Sequence, residues 1–170
     1  MSYLNEPDVD NKSSIKVAIR VRPLNQREQG SNSIINTNGG KIYLINPTDK
    51  TKKTFSYDYV YDQHATQESI YCDIGNSVIC NSFKGYNCCI FAYGLTGSGK
   101  TYSMLGSNGS SSTVEHEGLI PRICRDLFDK QQNHNDNDIG NCIVSYRVEV
   151  SYLEIYSEQV RDLIAGSSGV

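Results

Sequence analysis

Glycines, a lysine and a hydroxyl residue stand at a spacing suited to gripping a dense anion. The octet Gly94-Leu95-Thr96-Gly97-Ser98-Gly99-Lys100-Thr101 fits the pattern G-x-x-x-x-G-K-[ST] at every fixed position. A chain of phosphates needs several backbone N–H groups turned inward, and glycines let the backbone bend tightly and approach closely. A helix starting at the end of the loop would aim its positive end at the same anion. Lys100 can reach terminal phosphates, and the Thr101 hydroxyl can ligate Mg²⁺. The bland alternative is a Gly/Ser turn joining strand to helix. By average composition the pattern starts at roughly 1 position in 30,000, so chance is a poor explanation of it here.

Context decides between the two readings. The apolar run Cys88-Cys89-Ile90-Phe91-Ala92-Tyr93 reads as a buried strand ahead of the loop. Tyr102-Ser103-Met104-Leu105 reads as a helix start behind it. Strand, glycine loop, helix is the setting this motif requires.

The rest of the chain must position that loop. At 170 residues it has the length of one domain. A domain of this size buries roughly 70% of its unfolded surface, enough for a core. Net charge is -3, from 16 basic and 19 acidic residues, which gives no basic excess for a nucleic acid. No apolar run reaches the roughly 20 residues of a transmembrane span. Residues 1–13 read as a disordered leader, too polar and acidic for a signal peptide. Cys72, Cys80, Cys88, Cys89, Cys124 and Cys142 form no C-x-x-C pair, so they read as reduced thiols in a cytosolic protein rather than as metal ligands.

Ile15 to Arg22 alternates apolar and polar residues and reads as a strand ended by Pro23. Lys41 to Ile45, and a stretch near Thr54 to Tyr59, read as short strands, and the turns at Asn38-Gly39-Gly40 and Asn46 to Lys50 suggest small hairpins at a sheet edge. Between Thr66 and Phe83 the period changes: Ile70, Ile74 and Val78 are spaced as on one helix face. Thr66 suits the N-cap and Gly85 the C-terminal stop. Gly106 to Glu117 reads as a Gly/Ser-rich insertion, with the helix resuming near Leu119 and running to about Gln132. Asn133 to Asn141 reads as a mobile polar tip. Cys142 to Tyr156 reads as a long strand whose phase slips at Leu153, suggesting a bend or bulge. Ser157 to Ile164 reads as a short helix, and 166–170 as a flexible tail. His64, His116 and His134 lie in polar surroundings and form no ligand cluster. Glu154 and Glu158 read as solvated residues rather than general bases.

Several blocks together resemble one family. KVAIRVRPLN, YNCCIFAYGLTGSGKTYSMLG, GLIPRICRDLF and VEVSYLEIYSEQVRDLI are similar, in order, to the N-terminal half of a kinesin motor domain. The wording is closest to the vesicle-transport class. The resemblance implies an α/β fold of the P-loop NTPase type: a mixed central sheet flanked by helices, incomplete here, over residues 14–165. It implies ATP or ADP with Mg²⁺ as ligands, microtubules as the partner, and a cytoplasmic, cytoskeletal location. Arg20, Arg22 and Pro23 would border the adenine, and Tyr102 would face the base from the other side. Gly94, Thr96, Gly97, Ser98, Gly99, Lys100 and Thr101 would wrap the phosphates, with Thr101 on the metal. Leu95 departs from the usual Gln of the family; a loop that works through backbone N–H groups should tolerate this.

The blocks that form the kinesin switch segments have no counterpart in this sequence. Asp162-Leu163-Ile164-Ala165-Gly166-Ser167 resembles one only superficially, having an extra residue before Gly166. Hydrolysis needs a positioned water and charge stabilisation about the γ-phosphate, so no catalytic residue is assigned and little ATPase activity is expected from these residues alone. The Cys88 to Tyr93 and Cys142 to Tyr156 strands are expected to lack neighbours, leaving edges open to aggregation. Two other readings stay open: a nucleotide-binding module that does not hydrolyse, and an unrelated P-loop kinase or GTPase. The late arrival of the loop, behind a helix and several strands, disfavours the latter.

Overall fold

The computed structural model describes residues 15–107, 113–137 and 146–165. The leader, residues 1–13, and the tail, 166–170, lie outside them. The described residues up to Phe128 form one compact unit and those from Asp129 a second.

In the first unit, β1 (Ala18–Arg20) pairs in parallel with β5 (Tyr59–Tyr61), Ile19 opposite Val60. A bond from Tyr59 N–H to Val17 O and one from Val21 N–H to Tyr61 O extend the pair at both ends. Of the strand expected over Ile15 to Arg22, only this centre carries a ladder. Parallel neighbours need a long connection. Here it is an antiparallel meander of β2 (Ile35–Asn38), β3 (Lys41–Ile45) and β4 (Lys52–Ser56). Gly39 and Gly40 turn the first hairpin with φ of 55° and 73°, the left-handed pair that a two-residue hairpin loop requires. The strand expected from Thr54 to Tyr59 is in fact two strands in different sheets. Tyr57 and Asp58 make the switch, and the Asp58 carboxylate fixes it by accepting the Val17 N–H at 2.8 Å.

The expected helix is present as α1 (Gln67–Ile70), a wider π-turn (Tyr71–Gly75) and α2 (Asn76–Phe83). Thr66 Oγ1 caps it by accepting the Ser69 N–H at 3.1 Å. At the other end Gly85 takes φ of 86°. Its N–H bonds to Ser82 O and the Tyr86 N–H to Asn81 O, which is a Schellman closure. Inside the π-turn the Tyr71 ring lies over Gly75, where a Cβ would come within 2.3 Å of Cδ2. Replacing Thr66 by alanine should cost about 1 kcal/mol, a fall of roughly 2–4 °C in melting midpoint. Thr66→Ser, which keeps the acceptor, should melt near the parent; equal losses in both variants would discount the cap.

Tyr61, Ile70, Tyr71 and Leu119 form the buried core. Ile74, Ile90, Met104 and Ile123 pack against them. Tyr61 donates to Asp73 at 3.0 Å, and Tyr71 donates to Asp126. Burial, followed by these carboxylates, pushes both phenols above their ordinary pKa.

Behind the loop, α3 (Lys100–Met104) is followed by an isolated bridge between Gly106 and Glu117, a 3-10 turn (Val114–His116), and α4 (Leu119–Asn137). The interrupted helix was therefore legible. Its end was not: Asn133 to Asn137, expected in a mobile tip, continue the helix. Beyond Pro121 in its first turn, the sequence offers no Gly or Pro to stop it before Gly140.

Cys88 to Tyr93 corrects another expectation. These residues form no strand. Phe91 is 83% exposed and Tyr93 95%, although Ile90 reaches the core. A strand exists only through its neighbours' hydrogen bonds, and no described segment supplies them.

In the second unit, Tyr146 to Ser151 likewise carry no ladder, while residues 142–145 lie outside the described residues. The phase slip at Leu153 marks the start of β6 (Leu153–Tyr156), which pairs antiparallel with β7 (Gln159–Asp162). This overturns the helix expected over Ser157 to Ile164. Ser157 and Glu158 take φ of 49° and 63°, so the chain doubles back in a two-residue turn. Ile155 then faces Val160, and Glu154 faces Arg161, cross-strand pairs that favour the hairpin. Asp162 closes it by accepting the N–H groups of Ile164 and Ala165.

Parallel and antiparallel pairing thus both occur, but in three small sheets rather than one central sheet among the described residues. No helix among them is long and apolar enough to cross a membrane.

Candidate functional site

The residues singled out for chemistry meet in the first unit. Gly97 and Gly99 take φ of 80° and 101°, conformations that L-residues with a Cβ rarely adopt. Ser98 N–H closes a tight turn on Leu95 O at 3.1 Å. Ser103 N–H then bonds to Gly99 O at 2.9 Å, which starts α3. The first N–H groups of that turn have no acceptor within the helix. Lys100 Nζ folds back over the loop and donates to Gly94 O and Leu95 O, each at 2.9 Å. An ammonium has a third N–H to offer. Thr101, next along, is exposed.

Two arginines, Arg20 at the end of β1 and Arg22 just past it, take different directions. Arg22 Nε donates to Gly97 O at 2.7 Å, which ties the end of the strand to the glycine loop. Its other nitrogens grip Glu28 in a fork at 2.6 and 2.8 Å. The Arg22 bond, helped by the Asn25 N–H, pulls the Glu28 carboxyl down to about 2. Arg22 also donates to the carbonyl of exposed Pro23 at 2.8 Å.

Arg20 turns inward. It donates to Gln67 Oε1 at 2.8 Å and to Ser103 Oγ at 2.9 Å, and it lies 5.0 Å from the centroid of the Tyr102 ring. Burial pushes its pKa down, with Tyr102 opposing; guanidinium nonetheless stays charged. Gln67 is 4% exposed. Sequence reasoning counted it only as part of an amphipathic helix, and the side of α1 that it buries shows only in the fold. Glu28 and Ser103 were missed for the same reason.

The donor chemistry fits a polyphosphate: glycine-bent backbone, a short helix start, an ammonium and a hydroxyl in succession. Among the described residues no group of three His, Cys, Asp or Glu could hold a metal ion.

The kinesin motor domain family matches residues 20–169. Kinesin-like protein KIF1A of Rattus norvegicus is 44% identical over 164 residues, covering 89% of this chain and 9% of that protein. KIF1B of Homo sapiens is 45% identical over 164 residues, 89% of this chain and 8% of that protein. Kinesin-like protein unc-104 of Caenorhabditis elegans is 43% identical over 167 residues, 92% of this chain and 10% of that protein. The chain therefore spans a tenth or less of the length of these relatives.

Proposed function

This chain belongs to the kinesin family, and on that premise we propose that it is the nucleotide-binding part of an ATP-driven microtubule motor. The observation that carries the proposal is the loop Gly94 to Thr101, with left-handed Gly97 and Gly99 and with Lys100 folded over it. The backbone from Thr96 to Thr101 would cradle the phosphates of ATP or ADP. Lys100 would exchange its carbonyl partners for phosphate oxygens. Thr101 would supply one oxygen to Mg²⁺, which keeps its remaining sites for phosphate and water. Bound Mg²⁺ would offset the phosphate charge; this chain's residues bind and orient.

Arg22 holds the loop from the strand side through Gly97 O. Pro23 and Tyr102 would offer the flat surfaces for the base, and Arg20 supports Tyr102 from behind. No residue of this chain is given a hydrolytic role. Microtubules as partner, a cytoplasmic cytoskeletal setting and membership of the vesicle-transport class follow from the family and are proposed with it. Cys88 to Tyr93, which carries no strand ladder among the described residues, favours a second reading, a nucleotide-binding module without hydrolysis; steady-state ATP turnover with and without microtubules separates the two.

The direct test is a thermal melt with and without excess Mg-ATP or Mg-ADP. Ligand at 100 times its dissociation constant stabilises by about 2.7 kcal/mol, a midpoint rise of roughly 5–10 °C. A flat response, or no cooperative melt, would overturn the proposal. A strong preference for Mg-GTP would contradict the base-facing assignments.

A further inference from the structure

We infer that Gln67 is a positioning residue, holding Tyr102 in place as the base-facing surface of the nucleotide site. The inference rests on the nucleotide reading above. Gln67 opens α1 and is 4% exposed. Its amide is used from both ends. Oε1 accepts from Arg20 at 2.8 Å, and Nε2 donates to the Tyr102 carbonyl at 2.6 Å and to His116 O at 3.4 Å. The orientation of the amide is forced, because guanidinium can only donate and a carbonyl can only accept.

Arg20 completes a closed circuit. It lies over the Tyr102 ring and donates to Ser103 Oγ. Gln67 therefore holds Tyr102 twice, through its carbonyl and through the cation over its ring. Strand β1 and helices α1 and α3 are tied at this one buried point. Tyr102 keeps 38% exposure, so part of it is open to a ligand. A fully satisfied buried network of this kind fixes a single arrangement.

The side-chain hydrogen bonds of Gln67 go to Arg20, Tyr102 and His116 and none to the loop Gly94–Thr101. The loop has its own supports in Arg22 and Lys100. Loss of the glutamine should therefore weaken recognition of the base while sparing recognition of the phosphates. That separation is what a merely structural residue would not produce.

The experiment compares dissociation constants of Mg-ATP and Mg-tripolyphosphate for the full chain and two variants. Gln67→Met removes both ends of the amide. Gln67→Glu keeps the acceptor for Arg20 and loses the donor to Tyr102, and it carries the test if the methionine variant does not fold. Loss of one or two such bonds should weaken Mg-ATP about tenfold, with Mg-tripolyphosphate changed by less than about twofold. Equal weakening of both probes, or no change in either, would overturn the inference. If the unsubstituted chain binds neither probe, the nucleotide reading fails first and the inference falls with it.

Discussion

Lys100→Ala should remove most of the thermal shift produced by Mg-ATP or Mg-ADP while leaving the ligand-free melt close to the parent. The half-buried lysine has as partners without ligand two carbonyls of the exposed loop; losing them costs little because water replaces them. Against phosphate the same ammonium would make charge-assisted bonds worth about 1.5–3 kcal/mol, roughly ten- to more than hundredfold in affinity. With a hundredfold loss, ligand at 100 times the parent's dissociation constant would sit near the variant's own. Its stabilisation would fall from about 2.7 kcal/mol to about 0.4, a shift of roughly 1–2 °C. Lys100→Arg should recover only part of the response, since a planar fork does not replace a compact point charge. A shift in Lys100→Ala equal to the parent's would show that the ligand binds elsewhere.

Gly118→Ala should be strongly destabilising, although the substitution is conservative. A Cβ at Gly118 would lie 2.5 Å from the Met104 carbonyl carbon, 2.6 Å from its oxygen and 2.7 Å from Gly106 N. All three are backbone atoms, so no rotamer change relieves the clash; the exit of α3 and the entry to α4 must separate. The Gly118 N–H bond to Leu105 O, at 3.2 Å, would strain with them. Overpacking of this kind costs about 3 kcal/mol or more, a fall of roughly 6–12 °C. Gly85→Ala is the informative contrast. Gly85 has φ of 86° and nothing within 4 Å of an added Cβ, so it should lose only the conformational strain, about 1 kcal/mol. Similar midpoints for the two variants would refute the close approach at Gly118. Because α3 also carries Lys100 and Tyr102, Gly118→Ala should weaken nucleotide binding as well as stability.

Local chemistry explains which parts of the fold were readable. Thr66 and Gly85 bracket the helix because a side-chain oxygen and a missing Cβ solve problems within a few residues of themselves. Asn38-Gly39-Gly40 reads as a turn because two successive left-handed residues favour glycine there. Ser157-Glu158 makes the same kind of turn without that signature. Its hairpin is held by pairs such as Ile155 with Val160, and the segment was accordingly misread as helix. The π-turn at Tyr71–Gly75 was also invisible, because it depends on a ring settling over a particular glycine.

The sequence by itself determined the glycine loop, its lysine and hydroxyl, the following helix start and the family to which they belong. Those features need only contiguous residues, and their chemistry is fixed by type and spacing. The tertiary structure alone decided how the distant arginines are used. Arg20 and Arg22 are two residues apart and look equivalent on a strand. One is turned into the interior against Gln67 and Tyr102, while the other is held outward on Gly97 O and Glu28. Alternation along a strand sends side chains to opposite faces only at odd spacing. Arg22 lies past the end of β1, so its direction is set there by the partners that folding brings: a loop carbonyl and a carboxylate near the surface, against a buried amide for Arg20.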